Sequence, residues 1–488
     1  MGELGGAYRP QIPPGTLKMQ GKSENQLEAV VNGGYCIGCG ACTAIPTADI
    51  GMQLDDRGQY APFARSGGLT VEAEERFKAV CPFSGASADE SELADALFSS
   101  EGGRKDGAVG YHLSTYAGYA TDPELHRNGS SGGLTSWFLY KLLDSDHVDA
   151  VINVTSANGS KRFEYNVARS PEEVLSGAKS RYYPVELSEV LKVVQDVPGR
   201  YAVVGIPCFI KSLNLLRNSD SVFSERIVIT AGIFCGHMKS TNFADYLITC
   251  LGVDPNQAAT VDFRKKAEDR MASDYLFEVR TVDGKVVNRP MSEIYGGNWG
   301  YGFFKNNACN YCDDLAAETA DIAFGDAWLP EYVSDARGTN VVVVRTKFTQ
   351  AIIKEGMNNG ELTIHPIDVA RVIESQAAGL RDRREGLAHR IAKKKTADEW
   401  VPMKRLSPDR SISKKREKIY DLRLAIGEAT HNAFSSNGTN DLAHFESSIR
   451  PLTNQYDALY RPAIHKRFTM RTYQLLKSIY RRIKRKSG

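Results

Sequence analysis

Three cysteines spaced two residues apart constrain this 488-residue chain more than any other feature it has. In Cys36-Ile37-Gly38-Cys39-Gly40-Ala41-Cys42 one tight loop can wrap an iron–sulfur cube, its glycines letting the backbone approach the sulfides. A two-cluster bacterial ferredoxin continues with x3-Cys-Pro, and that next cysteine serves the other cluster. Pro46 stands at the corresponding position here, and the Cys-Pro pair arrives only at Cys81-Pro82. The pattern is that of a half-site closed by one remote ligand. Zinc on the same four thiolates is the rival reading, although three cysteines so close together crowd one tetrahedral ion and suit a cube.

The remaining cysteines are read against the redox environment. The opening Met-Gly-Glu-Leu-Gly-Gly lacks the basic start and apolar run of a secretory signal, and no stretch holds about 18 uninterrupted apolar residues. A cytoplasmic location is expected, where thiols serve as metal ligands rather than disulfides. Cys208 follows an apolar strand through Pro207, Cys235 ends another before Gly236, and Cys309 and Cys312 form a C-x2-C. Two strand tips and one loop can converge at the carboxyl edge of a parallel sheet. Zinc remains open for this set too, and Cys208 could instead be a thiol beside a cofactor. Cys250, inside an apolar helix, reads as a core thiol, which leaves eight cysteines as two sets of four.

A hydrophobic share of 42% and a charged share of 25% describe a globular chain, and its length predicts two or three domains. Residues 1–34 read as a loose lead-in and 35–98 as a small ferredoxin-like α+β domain with a hairpin over Ile50 to Tyr60. After a linker, residues 108–372 alternate between helix and strand. Leu134 to Leu143, Val190 to Val194 and Phe243 to Leu251 read as helices, Ala150 to Val154, Tyr201 to Ile206, Ile227 to Phe234 and Val341 to Val344 as strands. Tyr275 to Pro290 reads as a hairpin turning at Asp283-Gly284. The expected fold class is α/β with a mixed sheet. Residues 373–488 read as a helical, basic extension.

Net charge is only +2, yet from Lys466 to Lys486 there is no acidic residue. Apolar residues recur there at near-helical spacing, predicting a basic amphipathic helix. It could lie on an anionic membrane face, dock an acidic carrier such as a ferredoxin, or pack on its own protein. Nucleic-acid binding has no supporting motif.

Asn128-Gly129-Ser130-Ser131-Gly132-Gly133-Leu134-Thr135 is a Gly/Ser loop running into an apolar helix, either an anion cradle or a plain glycine-rich cap. It is followed by Gly177-Ala178-Lys179-Ser180-Arg181-Tyr182, Gly205-Ile206-Pro207-Cys208, Phe234-Cys235-Gly236, Asp262-Phe263-Arg264-Lys265-Lys266, Cys309-x2-Cys312-Asp313 and Gly325-Asp326-x-Trp328. In content and order this set resembles the coenzyme F420 hydrogenase/dehydrogenase beta-subunit family over roughly Cys36 to Arg345. The resemblance implies an iron–sulfur oxidoreductase containing FAD, a family that also includes 7-hydroxymethyl chlorophyll a reductase. It implies that the Gly/Ser loop with Thr135, and Lys179, Ser180, Arg181 and Tyr182, contact the flavin or its phosphates, with Gly205 and Pro207 close by.

Lys179, Arg181, Arg264, Lys265 and Asp326 are charged candidates for flavin or substrate contact, each of which could equally be an ion-pair residue. His237 and the aromatic stretch around Trp299 are further candidates. The leading expectation is an enzyme that relays electrons between a deazaflavin or ferredoxin carrier and FAD or substrate through two [4Fe–4S] clusters. A non-catalytic electron-transfer subunit of a larger complex and a zinc-stabilised scaffold are the alternatives.

Overall fold

The computed structural model describes residues 25–65, 68–157, 161–408, 411–437 and 441–461. The basic run 466–486 and most of the expected lead-in lie outside the described residues.

Short β-branched runs with no polar face need cover on both sides, and the central strands have it. Ala150–Ser156, Tyr201–Gly205, Ile227–Ile233 and Ile322–Asp326 pair in parallel at the middle of an eight-stranded sheet. Phe163–Ala168 adds antiparallel at one edge, and Asn340–Val344, Ser114–Ala120 and Leu362–Pro366 add antiparallel at the other. The mixed α/β class read from the alternating pattern is the observed one. Alternation splits each strand between two cores: Ala150, Ile152, Tyr201 and Val203 face one, Val151, Ala202 and Val204 the other.

The second core is closed by Trp137, Phe138 and Leu142 of helix Leu134–Asp144 and by Ile352 and Ile353 of helix Lys347–Asn358. The first is closed by helices Pro207–Ser219 and Ser188–Asp196 and by the N-terminal cysteine segment, whose Leu27, Tyr35, Ile37, Phe77 and Phe83 share a cluster with Tyr201 and Ile227. That segment therefore packs on the sheet's helices and shares one apolar cluster with them. Within it, Ile50–Leu54 and Tyr60–Ala64 form the expected hairpin, the Asp55 carboxylate accepting from the Arg57 and Gln59 amides in the turn. Part of the stretch read as loose is helical: Gln26–Asn32, capped by Asn25, buries Leu27 and Val30. Under two turns of amphipathic pattern are too short to recognise in sequence.

Ala258–Lys265, Leu276–Thr281 and Val286–Pro290 make a separate antiparallel sheet, the last two being the expected hairpin. Past Ile373 the described residues are mainly helical, as expected. Lys414–Asn437 and Leu442–Tyr460 cover a third apolar cluster containing Phe303, Phe304, Phe445 and Tyr456. Among the described residues no helix is long and apolar enough to cross a membrane.

Candidate functional site

The first quartet lines one cavity. Cys36, Cys39, Cys42 and Cys81 bound a space whose other walls are apolar, among them Leu27, Val30, Ile37, Phe77 and Val80. Three of these cysteines come from the tight loop, where Gly38 and Gly40 take φ values of +65° and +79°. The fourth caps helix Val71–Val80 at its C-terminal end. Burial pushes the Cys36 thiol up to about 12 and also raises Cys39, Cys42 and Cys81. Thiols so reluctant to ionise become thiolates only beside a compensating positive charge, which a metal core supplies. An amide already points at one sulfur, Gly38 N–H donating to Cys36 Sγ at 3.3 Å, and the Ala41 and Phe83 amides lie beside Cys39 and Cys81. Such donors are part of how iron–sulfur sites are stabilised and tuned.

The second set converges as the strand order predicts. Cys208 opens helix Pro207–Ser219 just past strand Tyr201–Gly205, Pro207 taking the first helical position where no N–H is needed. Cys235 lies just past the adjacent strand Ile227–Ile233. Cys309 and Cys312 come from the 3-10 turn Asn307–Tyr311 and its C-cap. Cys208 is within electrostatic reach of Cys312, Cys235 and Cys309. Burial raises Cys208 well above its usual range and pushes Cys235 up to about 12. Met238 N–H donates to Cys309 Sγ at 3.2 Å. The two sets abut: Cys39 lies beside Ser212, which is one turn after Cys208 and whose hydroxyl donates to the Phe209 carbonyl at 2.8 Å, and buried Tyr165 is within electrostatic reach of both Cys208 and Cys39.

From the second set an aromatic path leads outward. The His237 ring stacks on Trp299 at 4.6 Å, and Trp299 lies 4.6 Å from the Tyr182 ring. Burial, with Lys239 and Lys305 nearby, holds the His237 imidazole well below its usual range, so it is neutral. Tyr182 ends the Lys179–Tyr182 segment, which is joined to the Gly/Ser loop where the Ser180 amide donates to Ser130 Oγ at 2.5 Å. The two segments singled out in sequence are therefore in contact. Lys179 has φ +94°, an unfavourable value for a side-chain-bearing residue, held by its ion pair with Asp262 at 3.0 Å.

Other candidates are committed to protein partners. Ser131 Oγ donates to Thr339 O, Asn128 Nδ2 to Glu124, and Asp326 forms a two-pronged pair with Arg264 at 2.9 and 3.2 Å. Gly132 lies against Gly118 and Asn340, Gly133 is the αL cap of helix Leu134–Asp144, and Thr135 is in its first turn. Gly205 sits beside Tyr165 and Ile210. Three buried nitrogens along this edge, Arg181 Nε, Arg264 Nε and His237 Nε2, have no hydrogen-bond partner in the structure, leaving donors or lone pairs for a polar ligand. A groove of about 750 Å³ reaches the Gly/Ser loop at Asn128 and the neighbouring segment at Ala178.

Lys265 is a candidate by charge, but it is half exposed and pairs with Glu278. Lys266 is the residue that matters to the loop, its Nζ donating to the carbonyls of His126 at 2.5 Å and Ser131 at 2.7 Å. Burial, with Lys179 and Arg264 adding repulsion, pushes its amine down to about 7. No strand period announces it, because Lys266 lies just past strand Ala258–Lys265, whose pairing shifts register between Asp262 and Lys265 and buries Phe263 and Arg264 in succession. Ser212 is readable in principle, four residues after Cys208 on one helix face.

Residues 115–192 match the N-terminal domain of the family described as coenzyme F420 hydrogenase/dehydrogenase, beta subunit, and residues 199–370 match the C-terminal domain of the same family. Together these cover just over half of the chain. The chain belongs to the coenzyme F420 hydrogenase/dehydrogenase beta-subunit family. An uncharacterized protein of Methanocaldococcus jannaschii is 22% identical over 244 residues, 49% of this chain and 62% of that protein. The coenzyme F420 hydrogenase subunit beta of Methanococcus voltae is 25% identical over 272 residues, 53% of this chain and 86% of that protein. The coenzyme F420-dependent sulfite reductase of Methanocaldococcus jannaschii is 24% identical over 362 residues, 70% of this chain but 49% of that enzyme. The chain thus spans less than two thirds of the first and third of these relatives. One polypeptide of the F420-reducing [NiFe] hydrogenase complex from Methanosarcina barkeri aligns with a TM-score of 0.48 at 17% identity, over 61% of this chain and 98% of that one. Two of these three relatives are named for redox reactions, and electron transfer is the chemistry common to the family.

Proposed function

We propose that this chain is an iron–sulfur flavoprotein oxidoreductase that relays electrons between an external carrier, a deazaflavin or a ferredoxin, and FAD or a substrate through two [4Fe–4S] clusters. The observation that carries the reading is the continuity of its parts. One cavity is lined by Cys36, Cys39, Cys42 and Cys81. Cys39 meets Ser212 and Cys208 of the second set, and that set leads through His237 and Trp299 to Tyr182. In this division 35–98 holds the first cluster, 108–372 the second cluster and the flavin, and 373–488 is a C-terminal extension.

Bound FAD would exchange a hydride for single electrons, which joins two-electron chemistry to one-electron cubes. The Gly/Ser loop, Lys179 to Tyr182, Gly205 and Pro207 would hold it. Lys266 fixes the loop by its carbonyls, Asp262 holds Lys179 in its strained backbone, and Asp326 neutralises Arg264 without using its Nε. Neutral His237 can accept or give a proton at the unpartnered Nε2.

Anaerobic purification tests this directly. About eight irons per chain, broad absorption near about 400 nm and extractable FAD are expected. Zinc without iron or flavin would overturn the proposal in favour of a scaffold. The relative named as part of a hydrogenase favours a second reading, an electron-transfer subunit working with a separate catalytic chain. Turnover by the isolated chain with reduced deazaflavin or ferredoxin separates the two. Docking of the basic terminal run on an anionic membrane is tested by sedimentation with phosphatidylglycerol vesicles at low and high salt.

A further inference from the structure

The family match ends at residue 370, and the chain then runs into a widened helical turn, Asp382–Gly386. Turns of this π type are frequent at functional sites. Here the turn carries Arg383, whose side chain is buried with 3% exposure. Its Nη2 donates to the carbonyl of Cys235 at 2.6 Å and of Gly236 at 2.8 Å, and its Nε donates to the carbonyl of Asp314 at 3.0 Å. One guanidinium thus joins the loop bearing Cys235 to the loop bearing Cys312.

The neighbouring arginines are occupied differently. Arg390 and Arg423 both pair with Asp382, and Arg405 pairs with Glu318 and Asp313. Arg383 instead directs these donors to backbone carbonyls, and its charge is within electrostatic reach of Cys312, Cys235 and Cys309. A buried guanidinium costs several kcal/mol unless something negative compensates it. Four thiolates around an iron–sulfur core carry net negative charge, and adding an electron makes it more negative still. Net charge and hydrogen bonding around a cluster are what set its potential.

We propose that Arg383, supplied by the extension beyond the family match, is a positioning residue of the second cysteine set: it clamps the two ligand-bearing loops together and provides a fixed positive charge that favours the reduced cluster. This rests on the reading that Cys208, Cys235, Cys309 and Cys312 hold a [4Fe–4S] cluster. Asp382 on the same turn is shared among Arg390, Arg423 and Lys305, so it does not cancel Arg383 alone.

The test is a potentiometric titration of the full anaerobic chain followed by electron paramagnetic resonance, with iron counted in each sample. The variants are Arg383→Met and Arg383→Lys. In Arg383→Met, at the potential that half-reduces the wild-type second cluster, the reduced-to-oxidised ratio is expected to fall about tenfold, equivalent to about 59 mV for one electron. The first cluster should keep its midpoint. Arg383→Lys keeps the charge with fewer donors, so its second-cluster ratio should stay within about threefold of wild type. A fully loaded Arg383→Met with an unchanged midpoint, or with both clusters shifted equally, would overturn the proposal. If Arg383→Met does not fold or loses the second cluster, Arg383→Lys decides: a near-wild-type midpoint supports the fixed charge, and a tenfold or greater shift overturns it. A wild type lacking a second cluster overturns the underlying reading instead, and the iron count reveals that before any variant is compared.

Discussion

Cys81 and Cys250 are both thiols raised by burial, but only Cys81 lines the cavity shared with Cys36, Cys39 and Cys42. Cys250 ends helix Thr241–Cys250, where its thiol meets Tyr246. Cys81→Ala should therefore lower iron from about eight per chain toward about four, whereas Cys250→Ala should leave it unchanged, as read by metal analysis and visible absorption. Lys266 offers a different residue-scale test. Its amine is depressed from 10.5 to about 7 in the folded chain, so between these values the unfolded state binds more protons than the native one. Stability rises with pH across that window, and the cost of charging the buried amine is fully present below about 7. In the flavin-free protein, wild type should gain melting temperature relative to Lys266→Met as pH is raised from 7 toward 10. A difference that stays flat would show that Lys266 is not buried as a strained cation.

At the scale of elements, the Gly/Ser loop is shaped by space as much as by chemistry. Gly133 caps helix Leu134–Asp144 at φ +78°, and a Cβ there would lie 2.4 Å from the Leu125 carbonyl. Gly133→Ala meets backbone strain and a backbone clash together, so a loss of about 1–3 kcal/mol is expected in urea unfolding, with weakened flavin retention. The neighbouring Ser131 shows why a motif read in sequence is only partly a binding site. Its hydroxyl donates to Thr339 and its carbonyl accepts from Lys266, so it builds the loop from behind. Strand ends behave more predictably. Cys208 and Cys235 follow adjacent parallel strands, and a parallel sheet brings such positions to one edge whatever the intervening helices do.

Across the whole molecule, the extension is bound into the body by buried charge. Arg405 reaches Glu318 with two hydrogen bonds and also meets Asp313 and Glu90, and all three carboxylates are at least nine-tenths buried. Arg405→Ala removes the cation these carboxylates share, leaving Glu90 to Lys211, Asp313 to Lys404 and Glu318 to Arg384, and should cost about 3 kcal/mol in denaturant unfolding. Arg57→Ala breaks a pair with Glu428 whose side chains are 41% and 52% exposed, and should cost about 0–1 kcal/mol. Leu387 and Ile391 belong to the core shared with the cysteine segment, and Phe445 stacks on Phe304. Deleting everything after residue 372 should therefore yield an insoluble or unfolded chain, checked by expression and circular dichroism, and not a smaller working protein.

What the sequence determined by itself is what depends on neighbours along the chain: the C-x2-C-x2-C loop, the hairpins at Asp55 to Gly58 and Asp283-Gly284, and the helix and strand periodicities that imply a mixed α/β sheet. Each rests on local backbone freedom or on periods of 2 and 3.6 residues, which a single strand of letters carries. The pairing of Ser130 with Ser180, the meeting of Cys39 with Ser212, and the choice of Lys266 over Lys265 were decided by tertiary structure. So were the clamps made by Arg383 and Arg405, which span about 70 to more than 300 residues and follow no local period. A buried cation is chosen by the carbonyls and carboxylates that three-dimensional packing brings around it, and nothing adjacent to Arg383 in sequence announces the Cys235, Gly236 and Asp314 carbonyls it meets.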